Sequence, residues 1–140
     1  MLEQLQNKEQ AINKARSLIE TSKIKIFATM NLTEELIDPL PDWYYQLMLD
    51  KLNKGIKITR VAFGSQGHLS RFSSTYPELS NHQNYQVSLH DMTLHQYYRM
   101  LLIDESKLMF APQIPYSRIF LYTDEKELIE TYRNYFVSFL

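Results

Sequence analysis

Tyr97, Arg99 and Asp104 share one short segment, Tyr97-Tyr98-Arg99-Met100-Leu101-Leu102-Ile103-Asp104, whose interior is apolar. An arginine carries a permanent charge on a planar fork that can clamp a carboxylate or phosphate at two points. A carboxylate at the end of such a run can open a turn or orient a neighbour. Tyr97 adds a hydroxyl, but a phenol with an ordinary pKa of about 10 is protonated at neutral pH and attacks nothing without an activating group, and the sequence supplies no evident one. The three residues therefore read as a candidate seat for a small anion. The plainer alternative stays open: a strand ending in Asp104-Glu105-Ser106 is ordinary turn chemistry, with Arg99 facing solvent or a surface carboxylate.

Other reactive types are less organised. His90 and His95 bracket Asp91 but lack a third ligand at a diagnostic spacing, so neither a metal nor a cofactor is expected. His68 and His82 read as exposed polar residues. Gly64-Ser65-Gln66-Gly67 has neither the lysine nor the spacing of a phosphate-binding loop and reads as a plain turn. Ten Tyr and seven Phe could stack on ligands. Most of the tyrosines have apolar neighbours, however, and are expected in the core or an interface, where the hydroxyl finds a partner. Met100, Met109 and Phe110 are expected to furnish a dimer surface.

These residues need a scaffold. From Leu2 to Ser22 the residues Leu5, Ile12, Ala15, Leu18 and Ile19 recur at helical spacing. Lys23 to Thr29 switches to strand alternation, with Ile24, Ile26 and Ala28 on one face. Asp42 after Pro41 reads as a helix cap, followed by a stripe of Trp43, Leu47, Met48 and Leu52 that stops at Gly55. Ile56, Ile58, Val61 and Phe63 make the next strand, so strand, helix and strand imply a parallel pair with a right-handed crossover. A short helix is expected between His68 and Ser80. Beyond it lie strands at Tyr85 to His90, Tyr97 to Ile103, Lys107 to Ala111 and Ser117 to Tyr122, expected to be antiparallel because several connections are too short for a helix. Asp124 with Glu127 reads as a capping box opening a terminal helix that carries Leu128, Tyr132, Tyr135, Phe136 and Phe139.

In this setting the segment from Tyr97 to Asp104 resembles the signature of the phospholipase D-like superfamily, His-x-Lys-x-x-x-x-Asp on a strand. Arg99 and Asp104 keep its spacing, and Leu52-Asn53-Lys54-Gly55-Ile56-Lys57-Ile58 resembles the family's helix-glycine-strand junction. The resemblance implies one α/β domain over residues 1–140, with a mixed sheet flanked by helices. It also implies a histidine nucleophile where this chain has Tyr97, a lysine where it has Arg99, and Gly-Ser downstream where it has Ala111-Pro112-Gln113. The pattern is most similar to the non-catalytic effector domains of TrmB-like transcription regulators.

The chain of 140 residues has 44% hydrophobic and 22% charged residues and a formal charge of -1. That balance excludes disorder and argues against a molecule-wide positive field. No nucleic-acid contact is therefore expected from this domain. Zero cysteines and the lack of a signal-like or membrane-spanning apolar run fit a cytoplasmic protein. The expectation is a regulatory or sensing homodimer that takes a small anionic ligand or a protein partner through Tyr97, Arg99 and Asp104. Two alternatives are a divergent phosphodiesterase or nuclease, with His95 as nucleophile, and a protein-interaction domain without a ligand.

Overall fold

In a computed structural model the described residues are 1–112 and 119–140. The elements run β1 (Leu2–Leu5), α1 (Lys8–Thr21), β2 (Lys25–Asn31), α2 (Leu32–Ile37), α3 (Asp42–Asn53), β3 (Lys57–Phe63), α4 (Gln66–Thr75), α5 (Pro77–Ser80), β4 (Tyr85–His90), β5 (Arg99–Ile103), β6 (Lys107–Ala111), β7 (Phe120–Thr123) and α6 (Lys126–Val137). The strands form one seven-stranded sheet in the order β1-β7-β6-β5-β2-β3-β4. Neighbours β2, β3 and β4 are parallel, whereas β5, β6, β7 and β1 continue outward from β2 in antiparallel steps. This is the expected mixed α/β architecture.

Alternation along the central strands divides the core in two. Ile26, Ala28 and Met30 of β2, with Ile58 and Ala62 of β3, pack beneath Ala15 and Ile19 of α1, Met48 and Leu52 of α3, Phe72 of α4 and Leu79 of α5. On the opposite face Phe27, Val61, Phe63, Met100, Leu102, Leu108 and Phe110 pack under Ile129 and Phe136 of α6. Phe27 and Phe136 stack with centroids 4.7 Å apart, joining the helix to the middle of the sheet. Burial on both faces explains why the middle strands read as continuous apolar runs. It also corrects the expected dimer surface: Met100, Met109 and Phe110 are core residues.

Several boundaries differ from the sequence reading for identifiable reasons. Leu2 to Leu5 pairs with β7 as a strand; the helix begins only after Asn7, whose side chain accepts the Gln10 N–H. Ile24 is exposed because β2 begins one residue later. Pro41, not Asp42, occupies the cap position of α3, and Gly55 ends that helix at φ 88° as expected. β4 is parallel to β3 because α4 and α5 supply the crossover. The capping box at Asp124 does not form. Thr123 Oγ1 accepts the Glu125 N–H instead, and Asp124 pairs with the N-terminal ammonium. Of the strand expected over Ser117 to Tyr122, the first two positions lie outside the described residues, as does Gln113.

Candidate functional site

The antiparallel pairing of β5 with β2 fixes where the motif sits. β5 starts where β2 ends, so Arg99 lies at the carboxyl ends of the parallel strands, where open α/β sheets generally hold ligands. The Thr29 hydroxyl on β2 stitches the two strands together: it donates to the Tyr98 carbonyl at 2.8 Å and accepts the Met100 N–H at 3.0 Å. α2 follows β2 directly and brings Glu34 across to the Arg99 guanidinium. Both partners of that pair remain substantially exposed, at 40% and 50%. The guanidinium also stands 5.9 Å from the centroid of the Phe120 ring.

Tyr97 precedes the strand rather than opening it. Its ring packs edge-on against Phe63 at 5.4 Å. Burial pushes its phenol up from the usual value against the opposing pull of Arg99 and Thr29, so the hydroxyl stays protonated at neutral pH. α6 holds this approach in place. The Tyr135 hydroxyl donates to the Gln96 carbonyl at 2.7 Å and accepts the Tyr98 N–H at 3.0 Å, gripping both sides of Tyr97.

Asp104 is elsewhere. It stands at the far end of β5, a span of about 17 Å for five extended residues, and its carboxylate accepts the backbone N–H groups of Lys23, Ile24 and Lys25 at 2.9 Å each. The Ser22 hydroxyl adds a fourth contact at 3.3 Å. Partial desolvation works to raise its pKa, but the hydrogen bonds from these groups outweigh it and hold the carboxyl below its ordinary value. Asp104 also takes φ 52° as the first residue of the β5–β6 turn, a conformation that Asp tolerates. The structure thus brings Tyr97 and Arg99 together and gives Asp104 to the start of β2.

Two neighbours of the site escaped the sequence reading. Glu34 is one, and the other is a buried ion pair directly behind it. Arg60 of β3 is 3% exposed and meets Glu35 with both terminal nitrogens, at 2.5 and 3.3 Å, while Tyr45 donates to the same carboxylate at 3.0 Å. Arg60 shares an inward face with Ile58 and Ala62, so an obligatory partner could have been inferred from its position in the strand. The adjacent Tyr44 phenol is pushed up to about 12 by burial.

The remaining candidates are structural. His90 Nε2 and Ser88 Oγ both contact the Phe139 carbonyl at 2.8 Å, and His95 packs edge-on to Phe139 and His90. His68 and His82 are half-buried rather than exposed, and His82 accepts the Asn84 N–H. Ser65 caps α4, so the Gly64 to Gly67 stretch is a turn leading into a helix. Two surface hollows, of about 300 and 140 Å³, lie beside α3–α5 and between α2 and α4, and neither is lined by Tyr97, Arg99 or Asp104.

No family model and no curated protein matches the chain. Solved structures do. TrmBL2, described as an archaeal chromatin protein with a novel mode of DNA binding, superposes with a TM-score of 0.73 at 11% identity, over 99% of this chain and 52% of that one. The fold is phospholipase D-like. The phosphatidylserine synthase of Haemophilus influenzae Rd KW20 shares it at a TM-score of 0.60 and 9% identity, over 95% of this chain and 37% of the synthase. The chain thus spans about half the length of the first neighbour and less of the second.

The TrmBL2 comparison also overturns the expectation that a domain of this kind makes no nucleic-acid contact. A net charge of -1 is a sum over the whole surface and hides its distribution. Among the described residues Lys23, Lys54 and Lys57 carry no ion pair and gather where β2 and β3 begin, and Lys57 stands beside Lys25 in register. No helix of the described residues is long and apolar enough to cross a membrane.

Proposed function

We propose that the chain is a non-catalytic phospholipase D-like regulatory module of the cytoplasm, the effector part of a transcription regulator, which senses a small anionic ligand at Arg99 and Tyr97. The observation that carries the reading is the guanidinium at the carboxyl edge of the parallel strands beside a phenol that burial keeps protonated. Arg99 supplies a cation that can hold a phosphate, and the phenol of Tyr97, at the position where the resemblance puts the attacking group, does not ionise at neutral pH. Asp104 contributes by fixing the other end of β5 and stays outside the seat.

The experiment combines turnover and binding. No hydrolysis of phosphodiester lipids, nucleotides or nucleic acids is expected. Turnover abolished by Tyr97→Phe would overturn the non-catalytic reading, and turnover abolished by His95→Ala would move the nucleophile to the neighbouring loop. A specific ligand at 100 times its dissociation constant should add about 2.7 kcal/mol of stability, whereas a ligand-free interaction domain gives no shift across a broad screen. The module is proposed to work as a homodimer, which sedimentation equilibrium reads directly; a monomer at micromolar concentration removes that part.

A second reading has its own support. Lys23, Lys54 and Lys57, which carry no ion pair among the described residues, stand near the starts of β2 and β3 beside the Asp104 and Glu105 carboxylates, and we take them as a basic strip in a fold shared with TrmBL2, described as a chromatin protein with a novel mode of DNA binding. If the strip contacts a phosphate backbone, replacing all three by alanine lowers affinity for duplex DNA and flattens its salt dependence. Unchanged binding removes this reading.

A further inference from the structure

We propose that Glu34 is a built-in competitor for the ligand of Arg99, a specificity-determining residue that restricts the seat to dianionic phosphate. The inference rests on the reading of Arg99 as an anion seat and concerns what already occupies it.

α2 is short, yet its body is fastened from three sides. Asn31 caps it by accepting the Glu34 N–H at 3.2 Å. Leu32 is fully buried against Gly64, where an added Cβ would come within 3.0 Å of the leucine. Glu35 is anchored on buried Arg60. The Glu34 side chain alone crosses to Arg99. Opening the seat therefore needs one side chain to rotate into solvent, with the helix and the sheet left in place.

The two ion pairs differ in how they are held. Arg60 meets both oxygens of Glu35, whereas Arg99 meets Glu34 through one terminal nitrogen and one carboxylate oxygen. The fork also reaches the Tyr97 hydroxyl, so a ligand with more oxygens enters beside that phenol in the place of Glu34. Half-exposed pairs of this kind are worth about 1 kcal/mol or less, so exchange is cheap. A monocarboxylate gains nothing from that exchange. It trades like for like against a group tethered beside the guanidinium at high effective concentration. A phosphate dianion brings a second charge and a third oxygen, engages the fork at two points and displaces the carboxylate.

The test titrates the full chain at pH 7.5 with inorganic phosphate, a 5′-phosphorylated dinucleotide and acetate, in the parent, Glu34→Gln and Arg99→Ala proteins, with circular dichroism confirming that each is folded. The parent should bind phosphate and ignore acetate. Glu34→Gln removes the charge but keeps the size; it should bind phosphate up to about fivefold tighter, the equivalent of the pair's ~1 kcal/mol, and begin to bind acetate. Arg99→Ala should bind none of them. Either phosphate probe with this dependence on Arg99 and Glu34 supports the proposal, and the tighter one identifies a free or a nucleotide-borne source. If the parent binds phosphate through Arg99 and Glu34→Gln binds it no tighter, the competitor role is overturned while the anion seat stands. If no probe binds parent or Glu34→Gln, or if Arg99→Ala binds as the parent does, the seat itself fails and the inference falls with it.

Discussion

Glu34 and Glu35 are neighbours on one short helix, each facing an arginine, and the two pairs have little else in common. Arg60 and Glu35 are 3% and 12% exposed, and a tyrosine hydroxyl donates to the same carboxylate. Arg99 and Glu34 are 40% and 50% exposed and meet at one point. Consecutive helical residues point about 100° apart, so one helix can drive one carboxylate into the core and leave the next at the rim. The difference teaches which pair builds and which can be exchanged. A buried charge must have its partner, because an orphaned ion in the core cannot recover its hydration. At the rim water replaces either partner at little cost.

The largest expected effect comes from breaking the inner pair. Glu35→Ala leaves Arg60 charged and buried and should cost about 3–5 kcal/mol in urea-unfolding experiments. The double variant Arg60→Met, Glu35→Leu should regain most of that loss. If Glu35→Ala costs under about 1 kcal/mol, the inner and outer pairs are energetically alike and the contrast collapses.

A third carboxylate sharpens the comparison because it uses no cation at all. Asp104 is satisfied by backbone N–H groups, and Asp104→Ala should cost about 1.5–3 kcal/mol, the range for hydrogen bonds to a charged group. Its folded pKa lies below the unfolded one, so the folded state releases the proton more readily. The stabilisation is then fully present above the unfolded carboxylate pKa and is lost as pH falls through the lower folded value. Stability of the parent should drop in that acidic window, and the drop should be smaller in Asp104→Ala; equal pH profiles would discount the clamp.

The smallest effect belongs to the rim. Arg99→Ala should change unfolding free energy by about 1 kcal/mol or less, and that small change should shrink further in high salt. A loss comparable with that of Glu35→Ala would mean that Arg99 is a structural residue rather than an exchangeable one.

Much of the scaffold was legible because period and punctuation agreed. β3 with its preceding helix stop at Gly55, the limits of β6 and the packing of Tyr132, Tyr135 and Phe136 of α6, and of Phe139 just beyond it, follow from spacing, whereas at the start of that helix Ile129 is buried in place of the expected Leu128. The start of α1 was misplaced because Leu2 and Leu5 fit a helical stripe as well as a strand, and only pairing with β7 decides between them. Of the candidate site, Arg99 and Tyr97 could be read from the motif, but their surroundings could not. Thr29 and Glu34 lie 70 and 65 positions upstream of Arg99 and reach it only through the crossing of β2 and β5. Arg60 is legible in principle, as a cation on an inward face, although its apolar neighbours mask it.

β5 separates two tasks along a single rod. At one end a carboxylate ties the turn to the first residues of the neighbouring strand; at the other a guanidinium waits at the rim, about 17 Å distant. Groups that far apart, without shared partners, contribute independently. Exchanging the side chain at position 97 or 99 should therefore leave the foundations at position 104 as they are.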